Sequence, residues 1–106
     1  MSTTSEGREA ETFVAGYLEK RGYKLLDKNW RTRFCEIDLV MKKRDTVYFV
    51  EVKYRRTSMY GDGLEYITPK KLKQMEFAVE LWCAHHNWSG NMAMLAVSVD
   101  GKNEIT

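Results

Sequence analysis

Thr46-Val47-Tyr48-Phe49-Val50-Glu51-Val52-Lys53-Tyr54 decides the fold, read together with the apolar run before it that carries Glu36-Ile37-Asp38. β-Branched and aromatic residues dominate the later run, as in a strand. Side chains two apart on a strand point the same way. Val47 and Phe49 therefore share the face of Glu51 and Lys53, while Tyr48, Val50, Val52 and Tyr54 line the other. Apolar residues on both faces predict a central strand covered on both sides. The polar segment Lys42-Lys43-Arg44-Asp45-Thr46 between the runs is a turn. With Arg44 and Asp45 as a two-residue hairpin loop, Lys43 opposes Thr46, and the register carries Asp38 opposite Glu51 and Glu36 opposite Lys53. Carboxylates directly opposite one another, with Cβ atoms roughly 4.5–5.5 Å apart, are destabilising. A divalent cation compensates: oxygen-rich sites suit Mg²⁺ or Mn²⁺, and magnesium commonly uses one or two carboxylates, waters and a substrate phosphate. The alternative is a cross-strand ion network of Asp38, Glu51 and Lys53, worth little at a surface.

Residues 5–21 read as a helix, with Ala10, Phe13, Val14, Tyr17 and Leu18 at helical spacing and Gly22 where a left-handed terminus is wanted. Strands are expected at 23–30, 34–41 and 46–54. Residues 55–66 have no clear period and contain Gly61-Asp62-Gly63, a mobile loop. Thr68-Pro69 gives a helix cap followed by proline at the first helical position. That helix should run to about His86 and bury Leu72, Met75, Phe77 or Ala78, Val79 and Trp82. Residues 92–99 form a last apolar strand, reached by a helical crossover and hence parallel to the third. The order is αβββαβ, an α/β sandwich with a mixed central sheet.

At 106 residues the chain is long enough for one core and too short for two, so a single domain over 1–106 is expected. A hydrophobic fraction of 43% and a charged fraction of 30% exclude a disordered chain. Net charge is +2, unevenly spread: residues 20–73 hold 15 Lys and Arg against 7 Asp and Glu, whereas residues 74–106 hold one Lys against four acids. The basic bias lies on the segment that carries the carboxylates, which suits an approaching phosphate. Cys35 and Cys83 lack metal-like spacing, and adjacent His85 and His86 point apart on a helix, so structural or surface roles are expected. No run approaches a membrane span, and the first eight residues lack a secretory pattern, so the expected location is the cytoplasm and no membrane partner is expected.

Glu36-Ile37-Asp38-Leu39-Val40 followed by Val50-Glu51-Val52-Lys53, flanked by Gly7-Arg8-Glu9-Ala10-Glu11 with Tyr17-Leu18 and by Thr68-Pro69-Lys70-Lys71, closely resembles the YraN-type family of small bacterial proteins. The resemblance covers nearly the whole chain. It implies a restriction-endonuclease-like three-layer fold within the PD-(D/E)XK nuclease superfamily, which includes archaeal Holliday-junction resolvases. It makes Asp38 the principal metal ligand and Glu51 the second, with the Val52 carbonyl completing the shell and helical Glu11 joining it. Lys53 would orient or activate the attacking water and stabilise charge at phosphorus. Glu36 is either an auxiliary ligand or the cross-ladder partner of Lys53. The chemistry is consistent, because phosphodiester hydrolysis needs a Lewis acid, an activated water and a cation for the developing charge. Two departures stand out: Cys35 occupies a position usually held by glycine, and the last strand lacks an Arg-Phe-Asp stretch common there.

The resulting expectation is a Mg²⁺- or Mn²⁺-dependent nuclease acting on DNA, branched or single-stranded. No base-reading element stands out, which favours structure-directed recognition. Arg31, Arg33, Arg55, Arg56, Lys70 and Lys71 are candidate phosphate contacts, joined collectively by Lys42, Lys43 and Arg44; Lys70, Lys71 and Lys73 lie near a helix start that favours phosphate. Tyr60 is the candidate for base stacking. Analogy with resolvases, whose two cuts are symmetric, suggests a homodimer. The rivals are a non-catalytic nucleic-acid-binding accessory module and a protein-interaction domain.

Overall fold

The computed structural model describes residues 5–33, 35–54 and 68–99. Along the chain come helix α1 (Ser5–Glu19), strands β1 (Lys24–Arg31), β2 (Glu36–Lys43) and β3 (Thr46–Tyr54), helix α2 (Pro69–His85) and strand β4 (Asn91–Val99). The strands form one sheet in the order β1-β2-β3-β4. The first two pairings are antiparallel, whereas β3 and β4 run parallel. The result is a mixed four-stranded sheet with two helices. No helix among the described residues is long and apolar enough to cross a membrane.

The helices cover opposite faces. Ala10, Val14 and Leu18 of α1, one turn apart, pack with Leu39, Met41, Val50, Val97 and Val99. Met75, Ala78, Val79 and Trp82 of α2 pack with Ile37, Val40, Val47 and Phe49. The central strands are thus buried on both sides, as their two-faced apolar sequence predicts. Phe49, fully buried, meets the Trp82 ring edge-on at 5.5 Å. Leu72, expected to be buried, is instead 40% exposed, and of the alternatives Phe77 and Ala78 it is Ala78 that is buried, with Phe77 46% exposed. Four other α2 positions already fill the stripe facing the sheet, and Phe13 of α1 is left at the surface in the same way.

Helix α1 ends two residues before its apolar pattern suggests because the chain closes a Schellman turn. Tyr23 N–H donates to the Leu18 carbonyl and Gly22 N–H to that of Glu19, each at 3.1 Å, with Gly22 at φ 94°. Helix α2 starts as its sequence requires: the Thr68 hydroxyl accepts from Lys71 N–H at 3.1 Å, and Pro69 occupies the first turn.

Strand β2 begins later than the apolar run does. Thr32 N–H donates to the Cys35 carbonyl at 2.7 Å while Cys35 N–H donates to the Thr32 hydroxyl at 3.0 Å, closing a turn just before Glu36. At its other end β2 continues through Lys42 and Lys43 into the two-residue turn Arg44-Asp45, with Lys43 paired to Thr46. Strand β1 carries a bulge at Leu26, between the Leu25↔Met41 and Asp27↔Val40 pairs. The expected loop at 55–66, with Arg55, Arg56 and Tyr60, lies outside the described residues, as does Phe34.

A candidate carboxylate and lysine site

The hairpin register places the acids where the sheet stops being regular. Pairing between β2 and β3 runs from Lys43↔Thr46 to Leu39↔Val50. The ladder stops there, short of the expected Asp38/Glu51 and Glu36/Lys53 pairs, and the Asp38 carboxylate itself accepts the Val52 N–H at 2.7 Å. In/out alternation fails at the same place. Leu39 and Met41 face α1 and Val40 faces α2, so alternation would send Ile37 toward α1; it packs in the α2 cluster instead.

On the neighbouring strand, Asn29 has φ 54°, a left-handed conformation that asparagine tolerates better than most residues. With its amide nitrogen turned to the carboxylates, Asn29 donates to Glu11 Oε1 at 3.0 Å and Glu36 Oε2 at 3.2 Å. Asn29 is the site residue that sequence reasoning missed. Asparagine is a poor strand former, but Asp27 and Lys28 beside it are too, so nothing in the sequence singled it out.

Glu11 is 4% exposed, so it is not a solvated helix residue. It is hydrogen-bonded to Asp38, while burial and the nearby Glu36 raise its pKa. Asp38 is pushed up to about 7, first by burial and then by Glu51, Glu11 and Glu36, against the opposing pull of the Val52 N–H. Helix α1 therefore delivers one carboxylate and the hairpin three more to a single crowded region. Such crowding disfavours ionisation of all its members together.

Glu51 is 5% exposed, and its Oε2 meets Lys53 Nζ at 3.2 Å and Lys71 Nζ at 3.7 Å. Lys71, expected as a phosphate contact, thus reaches into the acidic group from α2. Arg31 Nε lies 3.7 Å from Glu36 Oε2, so Glu36 is tied to β1 as well. Arg33 and Lys70 are exposed. Lys42 and Lys43 stand apart: they lie at the turn end of the hairpin, with Lys43 also near the α1 terminus, roughly five strand residues or ~16 Å from Asp38. Their ammonium groups sit over Trp88 at 5.1 Å and Tyr23 at 5.0 Å. Cys35 is buried beside the acids; burial, Glu51 and Asp38 raise its pKa, keeping it a thiol. The histidines have structural contacts: His86 stacks on Trp82 at 4.0 Å and His85 meets Trp30 edge-on at 6.2 Å.

The donor set is one of hard carboxylate oxygens with a surplus of negative charge around Asp38, chemistry that suits Mg²⁺ or Mn²⁺. Among the described residues, no three acidic, His or Cys side chains converge as a ready-made ligand set. One of the central carboxylates, Glu51, is turned to two ammonium groups.

The family model described as "Uncharacterised protein family UPF0102" matches residues 10–100. A UPF0102 protein of Vibrio vulnificus is 37% identical over 89 residues, covering 83% of this chain and 73% of that protein. A UPF0102 protein of Cytophaga hutchinsonii is 33% identical over 102 residues, covering 96% of this chain and 90% of that protein. One from Syntrophomonas wolfei is 43% identical over 76 residues, covering 72% and 66% respectively. The matched span contains Glu11, Asn29, Asp38, Glu51, Lys53 and Lys71 together, and the chain belongs to the UPF0102 family.

Proposed function

We propose that this protein is a metal-dependent nuclease of the PD-(D/E)XK type, with a restriction-endonuclease-like fold, that hydrolyses phosphodiester bonds in DNA. The observation that carries the proposal is Asp38, half-buried among Glu11, Glu36 and Glu51 with its pKa raised to about 7, beside the Lys53–Glu51–Lys71 chain. Carboxylates crowded this way are costly unless a cation or a proton relieves them, and perturbed groups of this kind mark functional sites.

Asp38 and Glu51 would hold Mg²⁺ or Mn²⁺, joined by Glu11 and the Val52 carbonyl. Such an ion, when bound, polarises a phosphoryl oxygen and lowers the pKa of a coordinated water. Lys53, 3.2 Å from Glu51, would orient or activate the attacking water and stabilise negative charge at the phosphorus. Asn29 fixes Glu11 and Glu36, while Val52 N–H fixes the rotamer of Asp38. Arg31, Arg33, Lys70 and Lys71 supply sequence-independent phosphate contacts, which suits recognition of DNA by shape.

One observation favours a non-catalytic nucleic-acid-binding module instead: Glu51 is already neutralised by two lysines. Labelled four-way junctions and linear single- and double-stranded DNA, each with Mn²⁺ and with wild type or Asp38→Ala, separate the two. A nuclease cuts at least one substrate, and the variant loses cutting while retaining binding. Binding by both proteins without cleavage by either leaves the accessory module; no binding by either removes nucleic acid as the partner.

A further inference from the structure

We propose that Lys71 is a positioning residue that competes with a divalent cation for Glu51 and passes to a phosphate of the nucleic acid once Glu51 turns to the metal. The inference rests on the hydrolytic reading above.

Glu51 is buried and faces two ammonium groups through one oxygen, Lys53 at 3.2 Å and Lys71 at 3.7 Å. One of these cations is in excess of the carboxylate's charge. Lys53 lies two residues along the same strand and belongs to the same rigid element as Glu51. Lys71 comes from the first turn of α2, where the Thr68 hydroxyl holds its N–H. Its side chain is 30% exposed, on a flexible four-carbon stem that can reach outward. No acid occupies that first turn, and Lys70 and Lys73 flank it. A released Lys71 ammonium therefore stays in positive surroundings that a phosphate would occupy and that a second protein cation would not.

Competition gives effects of opposite sign that a plain structural ion pair would not. Removing the Lys71 charge takes a rival cation away from Glu51, so divalent metal binds more tightly. The same change removes a phosphate contact, so nucleic acid binds more weakly and with a smaller salt dependence.

The experiment titrates Mn²⁺ alone into wild type, Lys71→Met, Lys71→Arg and the control Lys20→Met by calorimetry. It also measures affinity for fluorescent single-stranded DNA at several salt concentrations in saturating Mn²⁺, the state in which Lys71 is free to meet a phosphate. Melting curves establish that each variant is folded, and Lys71→Gln stands in for the methionine variant should that one not fold. The proposal expects Mn²⁺ to bind Lys71→Met about fivefold or more tightly than wild type. It expects weaker DNA binding by that variant with a salt slope reduced by about one. Lys71→Arg and Lys20→Met should keep wild-type Mn²⁺ affinity. Unchanged or weakened Mn²⁺ binding by Lys71→Met, with wild type binding normally, overturns this inference alone. Wild type that binds no Mn²⁺ overturns the hydrolytic reading and this inference with it.

Discussion

At the turn end of the β2–β3 hairpin the ladder is continuous from Lys43↔Thr46 to Leu39↔Val50, and the core residues Val40, Met41, Val47 and Phe49 are fully buried. The nearby ammonium groups of Lys42 and Lys43 rest over aromatic rings. At the open end, alternation breaks at Ile37, Asn29 adopts φ 54° and Asp38 takes a backbone N–H with its own carboxylate. Four carboxylates gather there, two of them with raised pKa values. The same two strands thus follow every local rule at one end and break several at the other. Departures concentrated in this way are what a functional site produces, because a sequence selected only for stability would have regularised both ends.

The largest effect should come from the regular end. Phe49→Ala removes a fully buried ring that packs on Trp82, and about 3–5 kcal/mol of stability should disappear in a urea melt. A loss below ~1 kcal/mol would mean that this end is not the structural half.

Asp38→Asn tests the open end with the opposite sign. The amide keeps an oxygen for the Val52 N–H but removes the crowded charge. Asp38 has a folded pKa of about 7 against an ordinary value of 3.8, so the folded chain holds the extra proton between those values. The contribution of Asp38 to wild-type stability is therefore greatest below about pH 4 and is lost as pH rises toward 7. The variant should gain about 2–4 kcal/mol over wild type at pH 8, a gap that closes by pH 4. Urea midpoints at the two pH values check it; a variant less stable than wild type at pH 8 would mean that the carboxylate contributes to the fold. The smallest effect belongs to Arg44, at φ 58° in the turn. Arg44→Gly relieves that conformation and should raise stability by roughly 0.5–1 kcal/mol. Mn²⁺ affinity should stay unchanged, and a change in it would tie the turn to the site.

Much of this was legible in the sequence because periodicity and turn chemistry act locally. The Arg44-Asp45 turn fixed the hairpin register, Thr68-Pro69 marked the start of α2, and the apolar residues of β3 announced cover on both faces. Gly22 signalled the end of α1, although the Schellman turn moved the boundary. What escaped was set by tertiary packing. Nothing in the spacing distinguishes Leu72 and Phe77 from Met75 and Ala78, since the narrow stripe facing the sheet chooses among them. The resemblance identified Glu11 as a site candidate, but its burial required α1 to be seated over the sheet. Asn29 and the ion pair from Lys71 to Glu51 bring together distant parts of the chain, and no local pattern encodes either contact.

The most direct test of the contrast between the two ends is a calorimetric titration of Mn²⁺ into wild type and Asp38→Ala, in two buffers of different ionisation enthalpy at pH 6 and pH 8.5. If the open end holds surplus carboxylate charge for a cation, wild type binds Mn²⁺ and releases close to one proton at pH 6 and far less at pH 8.5, because Asp38 titrates near 7. Asp38→Ala should then bind far more weakly or not at all. No Mn²⁺ binding by wild type, or equal binding by the variant, would contradict the account and leave the carboxylates as a structural network.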